Sequence, residues 1–323
     1  MTMELTGTRR VKGLAVLSLV LALASLIPGF QLLGLAALFL GFQAVRGLNQ
    51  VESGVGFRLS ALLGMGIGGA ITAVQVIGLI AMVLNSIREK GHRIECQNNL
   101  RRLGQAVNLY YGDRKIYPAA TLSQPNLPVE QRMSWLVAIL PYMNPPERVQ
   151  PNVERVHKAL KLYEELDKTK GWDDPVNSNA WDEYKGPFLC PSRPEAGETE
   201  RRLTNYVGIA GVGPDAAKLP AKHPRAGFFG YDRLIKTEDV TRGTSATMMA
   251  TETARDIGPW MAGGPATVLG ADPEDQAFIG LNRPFGGLHP HGLTVLFVDG
   301  SVHFVQESVD PDVWLNQARI TGQ

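Results

Sequence analysis

The sequence predicts an α+β protein: N-terminal transmembrane helices, a long helix continuing from them, and a head whose mostly antiparallel β-sheet packs on that helix. Three observations carry this. Charge is partitioned, with seven charged side chains among the first 87 residues and fifty-six among the remaining 236. No proline or cluster of turn formers separates Leu84 from Tyr111, so an apolar run passes directly into an amphipathic one. Asp299-Gly300 sits between apolar-rich segments near the C-terminus, a strong hairpin signal.

The membrane segment comes first. Between Lys12 and Arg46 lie 33 uncharged residues, and between Arg58 and Arg88 lie 29 more. Both exceed the roughly 20 residues that cross a bilayer core, and neither has the polar face of a soluble core helix. The first run is too long for the core of a signal peptide, which is about 7 to 15 residues. As one straight helix it would measure about 50 Å against a hydrocarbon core of about 30 Å. Pro28-Gly29 near its midpoint removes a backbone donor and frees the turn, so residues 1–60 read as an apolar helical hairpin, with a single kinked span as the alternative. Gly64, Gly66, Gly68 and Gly69 give the second run a small-residue face for close helix packing.

Residues 61–112 read as a transmembrane helix that becomes amphipathic. Its stripe is Cys96, Leu100, Leu103, Val107 and Tyr110, at steps of four, three, four and three. Gly91 is its weak point, costing about 1 kcal/mol relative to alanine. Residues 113–323 form the head. A second helix spans 150–168 with Val153, Val156, Leu160, Tyr163 and Leu166 inward. The terminal hairpin turns on a two-residue Asp299-Gly300 loop, which pairs Val302 with Phe297, Phe304 with Val295 and His303 with Leu296.

Candidate chemistry is sparse. The 32 Lys+Arg balance 31 Asp+Glu, which gives no electrostatic recruitment of nucleic acid. There is no G-x-S-x-G elbow, H-E-x-x-H helix or P-loop, so no enzyme and no cofactor is expected. The two cysteines, Cys96 and Cys190, form either one bridge tying head to helix or two buried thiols. Residues 172–186 carry Asp173, Asp174, Asp182 and Glu183 with two tryptophans, which reads as an ordered surface loop, with calcium or sugar binding as the alternative. His289, His291, His303 and Asp299 lack the spacing of a standard zinc site, so no metal is expected there.

The stretch CQNNLRRLGQAVNLYYGDRKIYPAA from Cys96 resembles the segment that follows the apolar helix in a large bacterial pilin-like family of unknown function. SWLVAILPYM, FLCPSRP, TNYVGIAG, TRGTSATMMATE and GPW follow in that family's order. HPHGLTVLFVDG matches its H-x9-DG signature, formed by His289, Asp299 and Gly300. The resemblance covers roughly residues 68–310, and residues 1–60 look like a separate small membrane module. Family members typically carry a prepilin leader, but here the helix reads GGAITAVQVIGLIAMVLNS, with no glutamate five residues past a candidate cut.

The resemblance implies a non-catalytic pilin- or pseudopilin-like structural or interaction protein, not processed by prepilin peptidase. Its partners would be the bilayer and other pilin-like or secretion-apparatus subunits. Three spans put the head outside the cytoplasmic membrane, as the resemblance implies. Two spans keep it inside, the side favoured by Arg88, Lys90, Arg93, Arg101 and Arg102 after the last span. The alternative function is an anchored ligand-binding sensor or enzyme using the 172–186 loop and the C-terminal histidines.

Overall fold

A computed structural model describes residues 2–27, 32–49, 55–143, 153–177, 187–193, 202–255, 257–275 and 277–322. The chain separates into two compact units, Met1–Arg88 and Glu89–Gln323. Pro28-Gly29 lies outside the described residues. On either side of it the first apolar run forms two helices, α1 (Thr2–Ala24) and α2 (Leu33–Leu48).

Within the first unit the helices approach through small residues. Ser18 Oγ on α1 donates to Ala37 O on α2 at 2.8 Å, satisfying a hydroxyl in an apolar setting. The third helix, α3, runs Val55–Arg114 without interruption at Gly91. A Cβ at Gly64 would lie 2.7 Å from Leu19 N, and one at Gly68 would lie 2.7 Å from Gly34 O. Gly66 meets nothing, so the small-residue face is narrower than the four glycines suggest.

Among the described residues, α3 is the one helix long and apolar enough to cross a membrane. Only 6% of its apolar window is buried, and Val74, Ile77, Met82 and Ile87 are each at least 60% exposed. A helix buried in a soluble core would cover these side chains.

In the second unit α3 changes character. Cys96, Leu100, Leu103, Ala106 and Val107 are fully buried, while Arg101, Arg102 and Gln105 between them are exposed. Tyr110, the last member of the expected stripe, is only partly covered. The buried face packs on a five-stranded sheet ordered β3-β1-β2-β4-β5, made of β1 (Tyr206–Val212), β2 (Met248–Glu252), β3 (Val268–Ala271), β4 (Gly292–Phe297) and β5 (Val302–Gln306). Only the β1–β3 pair is parallel. Tyr206, Ala210, Ala250 and Leu296 share the core on the α3 side. Val207, Ile209, Val295 and Phe297 face a second core.

That second core is closed by Trp314 and Ala318. Trp314 belongs to a short C-terminal helix (Pro311–Gln317), which starts cleanly because Asp310 caps it and proline occupies its first position. The sheet is therefore covered on both faces.

Helix and sheet are unusually close at Gly104, where a Cβ would lie 2.6 Å from Leu296 Cδ1. Glycine there lets β4 lie directly on the helix.

Two expectations need correction. The hairpin is slipped by one residue: Leu296 pairs with Val302, Val295 with His303 and Thr294 with Phe304. The cause is the turn. Only Gly300 has positive φ (+87°), and its N–H donates to Phe297 O, while Phe297 N–H reaches Ser301 O. This is a three-residue loop with a glycine bulge, not a two-residue turn with both positions left-handed. A one-residue slip exchanges cross-strand partners, so Val302 joins the α3-side core and Phe297 stacks edge-on with His303 on the opposite side. The second helix, Val153–Glu165, buries Ala159 and Leu162, followed by Leu166 just past its end, packs Tyr163 on the core and leaves Leu160 42% exposed; the side chains of Val153 and Val156 lie outside the described residues.

If α3 is the spine of the head, Leu103→Ala should lower stability by about 2–5 kcal/mol, whereas the half-exposed Leu109→Ala should change it by less than about 0.5 kcal/mol. Denaturant melts of the detergent-solubilised chain, followed by tryptophan fluorescence, measure this. All five tryptophans follow residue 134, so the signal reports on the head alone.

Candidate functional site

Cys96 projects from the buried face of α3. It is disulfide-bonded to Cys190, with Cα atoms 5.6 Å apart. Cys190 is held in place by the chain entering β1: its N–H donates to Asn205 Oδ1, and Asn205 N–H donates to Phe188 O. From α3, Asn99 donates to Leu189 O and to the Tyr206 hydroxyl.

His289 sits against this bridge, with its Nε2 3.4 Å from Cys190 Sγ. Its side chain is wholly buried between two carboxylates. On one side Glu89, from α3, has Oε1 2.6 Å from Nδ1. A carboxylate only accepts, so Nδ1 carries the proton. On the other side Glu252, the last residue of β2 and fully buried, has Oε1 3.5 Å from Nε2. Its second oxygen accepts from Thr294 N–H on β4, while Oε1 has no hydrogen bond. Ser192 donates to Glu89 Oε2 at 2.9 Å and lies 3.3 Å from both His92 Nδ1 and His289 Nδ1.

Burial opposes charge on His289, but Glu252 and Glu89 together outweigh it and raise its pKa above the ordinary imidazole value. Burial, with Glu252 nearby, likewise raises the Tyr206 phenol.

Serine, histidine and glutamate meet here without forming a nucleophilic triad. A triad needs the carboxylate on one ring nitrogen and the serine on the other. Ser192 on Nδ1 and Glu252 on Nε2 match that order, but Glu89, 2.6 Å from Nδ1, holds the Nδ1 proton and also accepts the Ser192 hydroxyl, so Nδ1 is not free to take a proton from the serine. The arrangement instead ties α3 to the sheet. Arg93 adds to it by placing its guanidinium 4.0 Å above the Phe304 ring.

The H-x9-DG spacing acquires a geometric meaning. His289 meets α3 at Glu89, and a Cβ on Gly300 would lie 3.2 Å from Asn108 of the same helix. Between these two contacts the chain turns at Pro290-His291, where His291 has positive φ, runs through the six residues of β4, which rise about 20 Å, and turns again at Asp299-Gly300. The interval spans β4 and the two turns that bound it.

The other expected residues disperse. Asp299 is exposed and caps Ser301 N–H at 2.8 Å. His291 is exposed, 3.7 Å from Glu307, and His303 lies on the far face of the sheet. The four-residue cluster of histidines with Asp299 is therefore not formed. Asp173 is exposed, and Asp174 accepts from Val176 N–H in a local turn. Trp172 donates to Glu130 O, and Asn177 is buried on Gly171 O. Asp182 and Glu183 lie outside the described residues. Glu89, Ser192 and Glu252 carried no sequence signal: Glu89 and His289 are 200 positions apart.

A family model described as a protein of unknown function (DUF1559) matches residues 85–279, more than half of the chain. The chain belongs to the DUF1559 family. Among curated proteins and among solved structures, none matches. The DUF1559 match is compatible with the pilin-like resemblance and takes in Glu89, Cys96, Cys190, Ser192 and Glu252. It ends before His289, so the H-x9-DG element lies beyond it.

The bridge closes a loop between residues 94 positions apart, which in the chain-entropy account contributes about 4–5 kcal/mol. Replacing both cysteines by serine should lower the midpoint of the tryptophan signal in denaturant, with a loss of unfolding free energy of about 4–5 kcal/mol. An unchanged midpoint would contradict a structural role.

Proposed function

We propose that this DUF1559 protein is a non-catalytic, multi-pass membrane protein of pilin or pseudopilin-like type, which presents an extracytoplasmic head as a structural or interaction surface. One observation carries the reading: α3 exposes apolar side chains over its first half and buries a stripe against the sheet over its second. A helix of that kind is at home with one half in hydrocarbon and the other as the spine of a folded domain.

Two further features support it. A disulfide persists in oxidising surroundings outside the cytoplasm, which favours three spans and an external head over the opposite topology suggested by the basic residues after Ile87. The close packing of α1 and α2 around Ser18 suits a hairpin in the bilayer. The missing glutamate in the apolar helix argues for an uncleaved anchor, associating with the bilayer and with other pilin-like or secretion-apparatus subunits. Non-catalytic is the better reading because Glu89 holds the His289 nitrogen that faces Ser192 and accepts the serine hydroxyl, which leaves the imidazole unable to act as a base toward it.

Protease added to intact spheroplasts tests sidedness. Digestion of the head without lysis, leaving a protected membrane fragment, is the expected result. A head protected until lysis, or a chain recovered in the soluble fraction, would overturn the reading.

A further inference from the structure

The disulfide has two buried polar neighbours that a structural bridge does not require. Cys96 Sγ, Cys190 Sγ, Glu252 Oε1 and His289 Nε2 all lie within 4.8 Å of one another, and all four residues are buried. Glu252 Oε1 makes no hydrogen bond and faces His289 Nε2 across 3.5 Å, although a buried carboxylate oxygen carries a desolvation cost. His289 is oriented from behind by Glu89, which fixes the proton on Nδ1 and aims Nε2 at the two sulfurs and at Glu252. A carboxylate behind a histidine is the usual outer support of a metal-ligating imidazole.

We propose that Cys96, Cys190, Glu252 and His289 are a redox-gated zinc site, closed while the cysteines are joined and able to take the cation once they are reduced. Two thiolates, an imidazole and one carboxylate are a donor set for zinc, whereas calcium and magnesium call for oxygen alone. Zn–S of about 2.3 Å and Zn–N of about 2.0–2.1 Å in a tetrahedron give donor–donor edges of about 3.5 Å. His289 Nε2 stands 3.4 Å from Cys190 Sγ and 3.5 Å from Glu252 Oε1.

The exchange balances with a dithiol reductant. Its two thiols lose two electrons and two protons and close to a disulfide. The Cys96–Cys190 bond takes up both electrons and both protons and opens to two thiols. On binding, zinc displaces those two protons, and any proton on Nε2, to water. One crosslink then replaces another: the disulfide joins α3 to the Cys190 segment, and zinc would join both of these to β2 and to the lead-in of β4. The test is made on the purified chain and does not depend on the head's sidedness.

Cobalt(II), a spectroscopic stand-in for zinc, tests this on the full chain in detergent after reduction with a phosphine. The expected result is one equivalent bound, with thiolate-to-metal charge-transfer absorption and tetrahedral visible bands. Zinc should displace the cobalt, and re-oxidation should abolish the bands. Glu89→Gln, which leaves all four ligands in place, should weaken binding by about 10–100-fold while keeping the bands. His289→Ala should remove one ligand and shift them.

A reduced, folded chain without the charge-transfer absorption would overturn the proposal, as would bands unmoved by His289→Ala. If reduction alone unfolds the head, one equivalent of zinc should restore its tryptophan signal. A reduced chain that stays unfolded in excess zinc would also overturn it.

Discussion

The burial of one face of α3 against the sheet is the constraint on which the head depends. Leu100, Leu103 and Val107 supply apolar area, and Gly104 lets Leu296 come within a side chain's thickness of the helix backbone. The remainder of the α3-side core, including Tyr206, Phe228, Phe229 and Trp135, collects around that contact. In hydrocarbon the same kind of helix needs no such partner, because its backbone bonds are internal and its side chains match the solvent. In water it does, since an isolated amphipathic helix draws most of its stability from tertiary packing.

Polar groups fix the alignment that apolar packing leaves loose. A buried stripe can slide by a turn at modest cost, but a disulfide and a carboxylate–imidazole contact cannot. Cys96–Cys190 and Glu89–His289 pin α3 at one end of β4, and Gly300 lies against Asn108 near the other. Read this way, the spaced histidine and Asp-Gly pair mark the two ends of a strut. Among the described residues the chemistry is concentrated at the histidine end, where Cys96 from α3, Glu252 from β2, Cys190 and His289 converge in the buried interior.

The continuity of α3 and its buried stripe were legible because helical periodicity is local: charge content and spacing within about 25 residues carry the signal. The hairpin was legible as a hairpin, but its register was not. Asp-Gly suits both a two-residue turn and a three-residue loop with a bulge at Gly300, and the packing of Val302 and Leu296 on the α3 side decides between them. The cluster around His289 was illegible because its members come from four distant parts of the chain. Glu89 and Cys96 lie two turns apart on α3, but no spacing rule links them to Cys190, Glu252 and His289. In the second helix Tyr163 and Leu166 lie on the core side as their spacing suggests, and Leu160 does not: Ala159 is a weaker apolar marker than Leu160, yet Ala159 faces the core.

Hydrogen–deuterium exchange on the oxidised full chain in detergent bears most directly on whether α3 is the spine of the head. Amides of residues 100–107 should exchange as slowly as those of β4, since both open only when the head unfolds. Rapid exchange across 100–107 while β4 stays protected would mean that the helix lies apart from the sheet.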